Sequence, residues 1–444
     1  MKSLVLCSKA CSIGLFLSAF LIISLLFLVA STDSAVAQTP DEREMLQRPS
    51  DSRTPEDLRP KGLVWRGFLY RPALEIESGY IDNVLAEDQD IKSDFFTRVK
   101  PSLRVEKEIG RHSLFFTGRA NVERFAKRSK ENVEEFSIST SGVIEAKSDL
   151  AFPFRIQYSQ DHRNRDEPTS NLSTDTPRGV DRLLLKTGVI KKFNRLNLSI
   201  QGEYEKLRFD NEKSLNRQEA VIFDDNDREE YAGLIRLSYE FPRNSDANNI
   251  EHEVFTNLRV ETQEFERGEF TGNGFDGPRA DRDIYQGLLG FRTDYKGLLF
   301  ARIALGYEEQ IFEADSIENI SYLDFLADIE YVIHPKMTLR LNAARDIIQT
   351  ADNQSGITET TFLGGLDYEL LHDLYLETEY RYKDFKFESS ERKDKDHFGI
   401  VRLNHILSRY LSAELEATHQ RRSSTIDSEE FDRTIFLLRL RGEL

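Results

Sequence analysis

The chain has 444 residues, of which 31% are charged and 11% aromatic, and its formal net charge is −17. This composition excludes a bundle of membrane helices, because each helix would need about 20 consecutive apolar residues, and only residues 13–30 approach that length. The acidic balance, without any basic stripe, argues against nucleic acid as a partner.

The N-terminus has the pattern of an export signal. Lys2 and Lys9 precede the apolar stretch at residues 13–30, and Ala35-Val36-Ala37 supplies a small-residue cleavage site before Gln38. We therefore predict a signal peptide over residues 1–37. The alternative is an uncleaved anchor, since the apolar stretch nearly reaches the length of a spanning helix.

Both cysteines of the chain, Cys7 and Cys11, lie inside this predicted signal. The exported chain would then contain no cysteine, which excludes disulfides, cysteine-ligated zinc and iron–sulfur clusters. Residues 38–65 follow, with several prolines, many charges and almost no apolar periodicity. We predict that they form a disordered periplasmic tail.

From residue 66 to residue 444 the apolar residues recur with a period of two, which is typical of strands with one apolar and one polar face. The clearest examples are residues 196–205, 337–342 and 411–418. We count about 18 strands (16–18), an even number as in single-chain bacterial outer-membrane barrels. The predicted strand centres are Ile76, Leu103, Ala120, Gly142, Gln157, Thr187, Ile200, Ile235, Leu258, Leu289, Ile303, Ala327, Leu341, Gly364, Thr378, Val401, Leu415 and Leu438.

The connections between these strands alternate between long and short. The long ones include residues 82–94, 162–181, 211–227, 266–282 and 386–395, and the short ones include residues 108–112, 193–195, 295–297, 334–336 and 371–373. Transmembrane barrels combine short periplasmic turns with long extracellular loops. With a periplasmic tail, every long connection falls on the extracellular side. We predict an antiparallel up-and-down transmembrane β-barrel.

A soluble β-sandwich or β-solenoid is the alternative, because half-buried antiparallel strands also alternate. Two features favour the membrane barrel. The strands are predicted to run about 9 to 12 residues, the length that crosses a bilayer, and tyrosines cluster on the apolar face near strand ends, as in an interfacial aromatic girdle. Pro72 and Pro101 fit poorly inside strands. They indicate bulges, or a first strand that starts after Pro72.

Short motifs near the start of the barrel region carry a family resemblance. They are Gly79-Tyr80-Ile81-Asp82-Asn83-Val84, Lys92-Ser93-Asp94-Phe95, Pro101-Ser102-Leu103, Arg111-His112-Ser113-Leu114 and Glu131-Asn132-Val133-Glu134-Glu135-Phe136. The chain resembles the outer-membrane β-barrel porins that are often encoded beside exopolysaccharide or capsule synthesis genes. The resemblance implies an outer-membrane barrel of a Gram-negative bacterium with a role in polysaccharide export, and it implies no catalytic residues.

If the apolar face meets lipid, the charged residues of the strands face the lumen. A predicted basic wall comprises Arg71, Arg98, Lys100, Arg104, Arg119, Arg439 and Arg441. A predicted acidic wall comprises Asp324, Asp328, Glu330, Asp367, Glu369, Glu377, Glu379, Glu414 and Glu416. Our hypothesis is a transverse field that orients polar or anionic solutes. The alternative is that the charges merely pair and solvate a structural lumen.

Enzyme chemistry has little support in the sequence. His162 and His397 are the candidates near long connections, and no metal-binding spacing of histidines occurs. We predict no enzymatic activity, no cofactor and no metal site. The expected function is a porin-like channel for hydrophilic solutes or exported polysaccharide, and the alternative is a non-conducting anchoring barrel. Expected partners are outer-membrane lipid, lipopolysaccharide and the barrel assembly machinery, which would recognise the C-terminal strand.

Overall fold

The computed structural model describes residues 55, 58–168, 176–210, 212–213, 220–221, 227–241, 250–266, 281–348, 356–388 and 390–444. The predicted signal peptide and most of the predicted tail lie outside the described residues. Within the described ranges there is no helix long and apolar enough to cross a membrane.

Eighteen long strands account for most of the described residues. Their bounds are β1 Phe68–Ile81, β2 Asp94–Ile109, β3 His112–Phe125, β4 Val133–Lys147, β5 Leu150–His162, β6 Gly179–Phe193, β7 Leu196–Phe209, β8 Arg228–Glu240, β9 Ile250–Phe265, β10 Arg282–Tyr295, β11 Leu299–Phe312, β12 Ile320–His334, β13 Met337–Ile348, β14 Ile357–Leu371, β15 Leu374–Phe387, β16 Lys393–Ser408, β17 Leu411–Ser424 and β18 Phe431–Glu443. Short 3₁₀ turns lie at Ser129–Glu131 and Asp427–Glu429.

Each long strand pairs antiparallel with the next in the chain, and the last pairs with the first. The closing seam joins β18 to β1, from Ala73 opposite Glu443 to Ile81 opposite Ile435. The sheet therefore has no free edge among the long strands, and the predicted up-and-down barrel of about 18 strands is confirmed. Every predicted strand centre lies within one of the strands. A soluble sandwich is excluded by the closure.

Two shorter pairings stand beside the barrel. Leu63–Trp65 pairs with the first residues of β1 and so extends the sheet into the segment that we assigned to the tail. Glu212–Lys213 pairs with Ala220–Val221 in the connection between β7 and β8.

Long and short connections alternate around the barrel with one exception, and they define two ends. At the short-turn end, two-residue turns such as residues 110–111, 194–195 and 335–336 join neighbouring strands. Gly110 (φ 63°) and Asn194 (φ 59°) adopt the left-handed conformation that these tight turns require and that glycine and asparagine tolerate. Most of the longer connections, including residues 82–93 and 126–132, lie at the opposite end, which we call the long-loop end. The exception is the connection between β8 and β9, residues 241–249, which is nine residues long and joins these strands at the short-turn end.

The strands are longer than we expected, between 12 and 16 residues. At about 3.3 Å per residue and a tilt near 40°, a 16-residue strand rises about 40 Å, more than the roughly 25 Å apolar band of such barrels. The predicted 9 to 12 residues correspond to the part that crosses lipid. The extra residues carry the wall beyond the apolar band, where the alternation that we used is weaker.

The two prolines are accommodated without bulges. Pairing between β2 and β3 is interrupted at Lys100 and Pro101, but the same register resumes at Ser102 opposite Arg119. Pro72 lies at the short-turn end of β1, just before the pairing with β18 begins at Ala73. The missing N–H of each proline therefore costs local hydrogen bonds without shifting a strand.

The outer face is apolar. Leu289, Leu305 and Leu415 are each more than half exposed, and they occupy positions that alternate with inward charged residues. The tyrosines that we predicted as an interfacial rim lie on this face, among them Tyr231, Tyr295 and Tyr307. An exposed apolar girdle of this extent is the surface that a barrel presents to lipid.

Candidate functional site

The inner face of the barrel carries the charged residues, and strand register decides which of them meet. Residues opposite one another in an antiparallel ladder project to the same face. Glu77 lies opposite Arg98 of β2 and Arg439 of β18, and Glu75 lies opposite Lys100. The predicted wall residues all occupy inward positions of this kind.

The closing seam contains a cluster of four charged residues, Glu77, Arg98, Lys100 and Arg439. The side chain of Glu77 is fully buried, and its carboxylate lies 2.8 Å from Lys100 Nζ, 2.7 Å from Arg439 Nε and 3.4 Å from Arg98 Nη1. Arg98 also forms a bidentate pair with Glu123, with Nε at 2.6 Å. A buried carboxylate is tolerated only when it is paired in this way. Here the closing hydrogen bonds of the barrel and the ion pairs reinforce the same seam.

The rest of the predicted basic wall is less uniform. Arg71 and Arg104 share the carboxylate of Glu106, at 3.2 and 2.8 Å. Arg441 is about half exposed and pairs with Glu443 at 2.8 Å. Arg119 differs from all of these, because its guanidinium has no hydrogen bond or ion pair in the part of the chain that the structure describes.

The predicted acidic wall is likewise interleaved with cations. Arg302 binds Asp328 at 2.6 Å, Arg340 binds Asp367 at 2.7 Å, and Arg402 binds Glu416 at 2.8 Å. Other contacts of the acidic wall are Glu379 with Arg340 and Arg381, Glu377 with Arg402, Glu414 with Arg439, Glu369 with Lys336, and Asp324 with Gln286. Glu330 faces inward on β12 opposite Arg340. Each wall thus contains counterions of the opposite sign. The transverse field that we hypothesised stays a prediction.

The long-loop end of the lumen is packed. Most of the largest fully buried side chains lie in the long-loop half of their strand or in a long connection; Phe255 and Thr338 are the exceptions. Four apolar clusters lie at this end, one of them built around Phe265, Phe312 and Tyr322. Buried ion pairs accompany them, including Arg422 with Asp396 at 2.6 Å.

The first part of the connection between β5 and β6, residues 163–168, contacts inward residues of β17 and β18. The backbone carbonyl of Asp166 accepts a hydrogen bond from Arg422 Nη2 at 2.8 Å, and its carboxylate lies 2.7 Å from Arg433 Nη2. Arg165, beside it, pairs with Glu131 of the preceding long connection at 2.9 Å. Burial alone would raise the pKa of Asp166, but the guanidinium of Arg433, helped by a backbone hydrogen bond and by Arg422, outweighs burial and holds the pKa below its ordinary value of 3.8.

Sequence reasoning missed this contact. Asp166 carries no periodic signal, since it lies in a connection, and its partners are more than 250 residues later in the chain. The sequence indicated only that Arg433 faces inward, because its position alternates with the outward residues of the same strand.

The two histidines that we considered have structural partners. His162 Nδ1 contacts the carboxylate of Glu135, and His397 Nδ1 lies 2.7 Å from the hydroxyl of Tyr380 on the outer face. Neither contact forms a Ser–His–acid arrangement. Among the described residues, no group of three or more His, Cys, Asp or Glu side chains is arranged to hold a metal ion.

A closed antiparallel barrel with an apolar outside and a charged inside is an outer-membrane barrel of the porin type. The chain belongs to the family described as "Putative beta-barrel porin 2", whose model matches residues 56–444. The predicted porin family is thereby confirmed, whereas the link to polysaccharide genes stays a prediction. No curated protein sequence matches the chain.

Several solved outer-membrane proteins are similar in fold. OpdK of Pseudomonas aeruginosa is 12% identical over 84% of this chain and 99% of its own, with a TM-score of 0.44. OpdL of the same organism is 11% identical over 86% and 100%, also at 0.44. The siderophore receptor PirA of Pseudomonas aeruginosa is 9% identical over 87% and 81%, at 0.43.

Proposed function

We propose that the protein is an outer-membrane channel that passes hydrophilic solutes, or an exported polysaccharide, through its charged lumen. The observation that carries the proposal is the water-accessible charge on the inner face in the short-turn half. Arg104 and Arg441 keep 39% and 48% of their side-chain surface exposed there, although both have carboxylate partners. In a barrel whose interior is completely packed, such charged groups would be fully buried with their partners or replaced by apolar side chains.

A second candidate, a non-conducting barrel that anchors an envelope assembly, is favoured by the packed long-loop end. The contacts of Asp166 with Arg422 and Arg433 place a connection inside the wall. If that end stays closed in the membrane, the lumen is open only at the short-turn end and does not conduct solutes.

Recording from planar bilayers that contain the purified barrel separates these candidates. A conducting pore gives stepwise current increments whose size scales with salt concentration. A folded barrel, identified by its heat-dependent migration on gels, that gives no increments would overturn the channel proposal and leave the anchoring role.

A cellular experiment tests whether the protein exports a polysaccharide. Deletion of the gene is expected to abolish or strongly reduce secreted polysaccharide while cells retain their other outer-membrane proteins. Unchanged secretion would restrict the proposal to small hydrophilic solutes. We also propose that lipopolysaccharide and the barrel assembly machinery are partners, the second through β18, the strand that closes the barrel against β1.

A further inference from the structure

One region of the inner wall lacks the ion pairs that line the rest. On β3, β4 and β5, three rows of inward residues follow from the register: Phe115, Ser141 and Arg155; Thr117, Ser139 and Gln157; Arg119, Ser137 and Ser159. No carboxylate occurs among these residues. We call the surface formed by Thr117, Arg119, Ser137, Ser139, Ser141 and Arg155 the hydroxyl–arginine patch.

The two guanidinium groups of the patch are available for a ligand. Arg119 is exposed, and within the described ranges its guanidinium has neither a hydrogen bond nor an ion pair. Arg155 donates one hydrogen bond, to Gln157 Oε1 at 2.6 Å, and has no carboxylate partner among the described residues. Their neighbours on the flanking strands have carboxylate partners, since Arg104 pairs with Glu106 and Lys186 with Glu203. The positive charge of the patch is therefore not compensated locally.

The hydroxyl groups between the arginines are equally available. Thr117, Ser137, Ser139 and Ser141 are neither fully buried nor hydrogen-bonded through their side chains in the described part of the chain. Each hydroxyl can donate one hydrogen bond and accept two. A surface of free hydroxyls between two guanidinium groups without carboxylate partners matches a ligand that has many hydroxyls of its own together with a carboxylate, which guanidinium binds in a bidentate manner.

The dimensions suit such a ligand. Two strand spacings separate β3 from β5, about 10 Å, and four residues separate Ser137 from Ser141 along β4, about 13 Å. This area accommodates one or two sugar rings. Phe115, at the edge of the patch, lies beneath Arg104 with the guanidinium 4.7 Å from the ring centroid.

We propose that the hydroxyl–arginine patch is a binding site for an acidic saccharide, such as a uronic acid or an oligomer that contains one. The inference deepens the proposed channel function and rests on it for its physiological meaning, because it names the chemical class of the solute. Binding itself does not require conduction, so the two can fail separately.

Isothermal titration calorimetry on the detergent-solubilised barrel tests the site. The probes are galacturonate, trigalacturonate, maltotriose and sulfate, and the variant is Arg119→Gln combined with Arg155→Gln. Because neither arginine forms an ion pair, the double variant is expected to fold, which heat-modifiable migration checks. Lys192→Gln, an inward residue of β6 outside the patch, is the control for loss of a lumen cation.

The acidic sugars are expected to bind the native barrel, and the double variant to bind them at least about tenfold more weakly, while Lys192→Gln stays within about twofold. Ser139→Val is expected to weaken binding of the sugars but not of sulfate. Tighter binding of trigalacturonate than of galacturonate would identify a polymer as the ligand, and equal binding a monomer.

Three results would overturn the proposal: unchanged affinity in the double variant, equal affinity for maltotriose, or sulfate bound as tightly as the acidic sugars. A barrel that binds acidic sugars through the patch but gives no bilayer current would contradict the channel function and leave the site intact. A barrel that conducts but does not bind acidic sugars would contradict the binding site and leave the channel function intact.

Discussion

The two ends of the lumen handle charge in different ways. At the long-loop end, Arg422 and Asp396 are almost fully buried against each other, and an inward connection covers them. At the short-turn end, Arg441 pairs with Glu443 while about half of its side chain stays in water. A guanidinium–carboxylate pair is thus part of the packed interior at the long-loop end and part of the solvated lumen wall at the short-turn end. Stability is expected to depend on the first end and permeation on the second.

The largest expected effect is at the packed end. Arg422→Ala leaves the carboxylate of Asp396 buried without its partner, a change that costs about 3 to 5 kcal/mol, since both side chains are at most 3% exposed. Urea unfolding of the barrel in lipid vesicles measures the loss. The matched variant Arg441→Ala is expected to cost less than about 1 kcal/mol, as for a solvated pair. Equal losses would contradict the difference between the two ends.

The seam offers the next test. Glu77→Gln removes the charge that Lys100 and Arg439 share while keeping the shape of the side chain, whose surface is 0% exposed. We expect a loss of about 2 kcal/mol or more, because hydrogen bonds to charged groups contribute about 1.5 to 3 kcal/mol each. The same unfolding assay applies.

Glu443→Gln is the control for the seam variant. Its carboxylate contacts Arg441 at the solvated end, and the variant is expected to unfold like the native barrel. A Glu77→Gln barrel as stable as this control would show that the buried seam charges do not reinforce closure.

How far the sequence could predict these differences depends on the distance between partners. Inward placement of Glu77 and Arg439 followed from period-two alternation alone. Their contact depends on the register between neighbouring strands, which alternation does not give. The predicted basic and acidic walls grouped residues by the sign of their charge, although neighbouring strands place residues of opposite charge side by side. The contact between Asp166 and Arg433 could not be predicted, because the conformation of a connection is not fixed by alternation.

That connection gives a smaller, pH-dependent effect. The pKa of Asp166 lies below its ordinary value of 3.8, so its pairing with Arg433 stabilises the inward position fully above pH 3.8 and is lost as the pH falls through the lowered pKa. Asp166→Asn removes the charge at every pH. We expect a weakening of about 1 to 2 kcal/mol in the docking of the connection, seen as faster proteolysis of residues 163–178 in the intact barrel at neutral pH.

The native barrel is expected to be cleaved as fast as Asp166→Asn only below pH 3.8, where Asp166 becomes protonated. An acid-stable protease makes this measurement possible. Arg433→Gln should behave like Asp166→Asn at neutral pH. If the native barrel and Asp166→Asn are cleaved at the same rate at pH 7, the ion pair does not hold the connection.

The smallest effect in free energy belongs to the solvated end, where it appears in permeation. Arg104→Gln combined with Arg441→Gln removes two exposed cations from the lumen lining, and each replaced pair contributes less than about 1 kcal/mol to stability. Unfolding should therefore be unchanged, whereas the anion-to-cation permeability ratio in bilayers should fall measurably, since fixed charge in a water-filled constriction selects ions. Arg422→Lys, which keeps the charge at the packed end, should leave that ratio unchanged. A ratio that responds to Arg422→Lys and not to the double variant would mean that ions are selected at the packed end, and the assignment of stability and permeation to opposite ends of the lumen would be wrong.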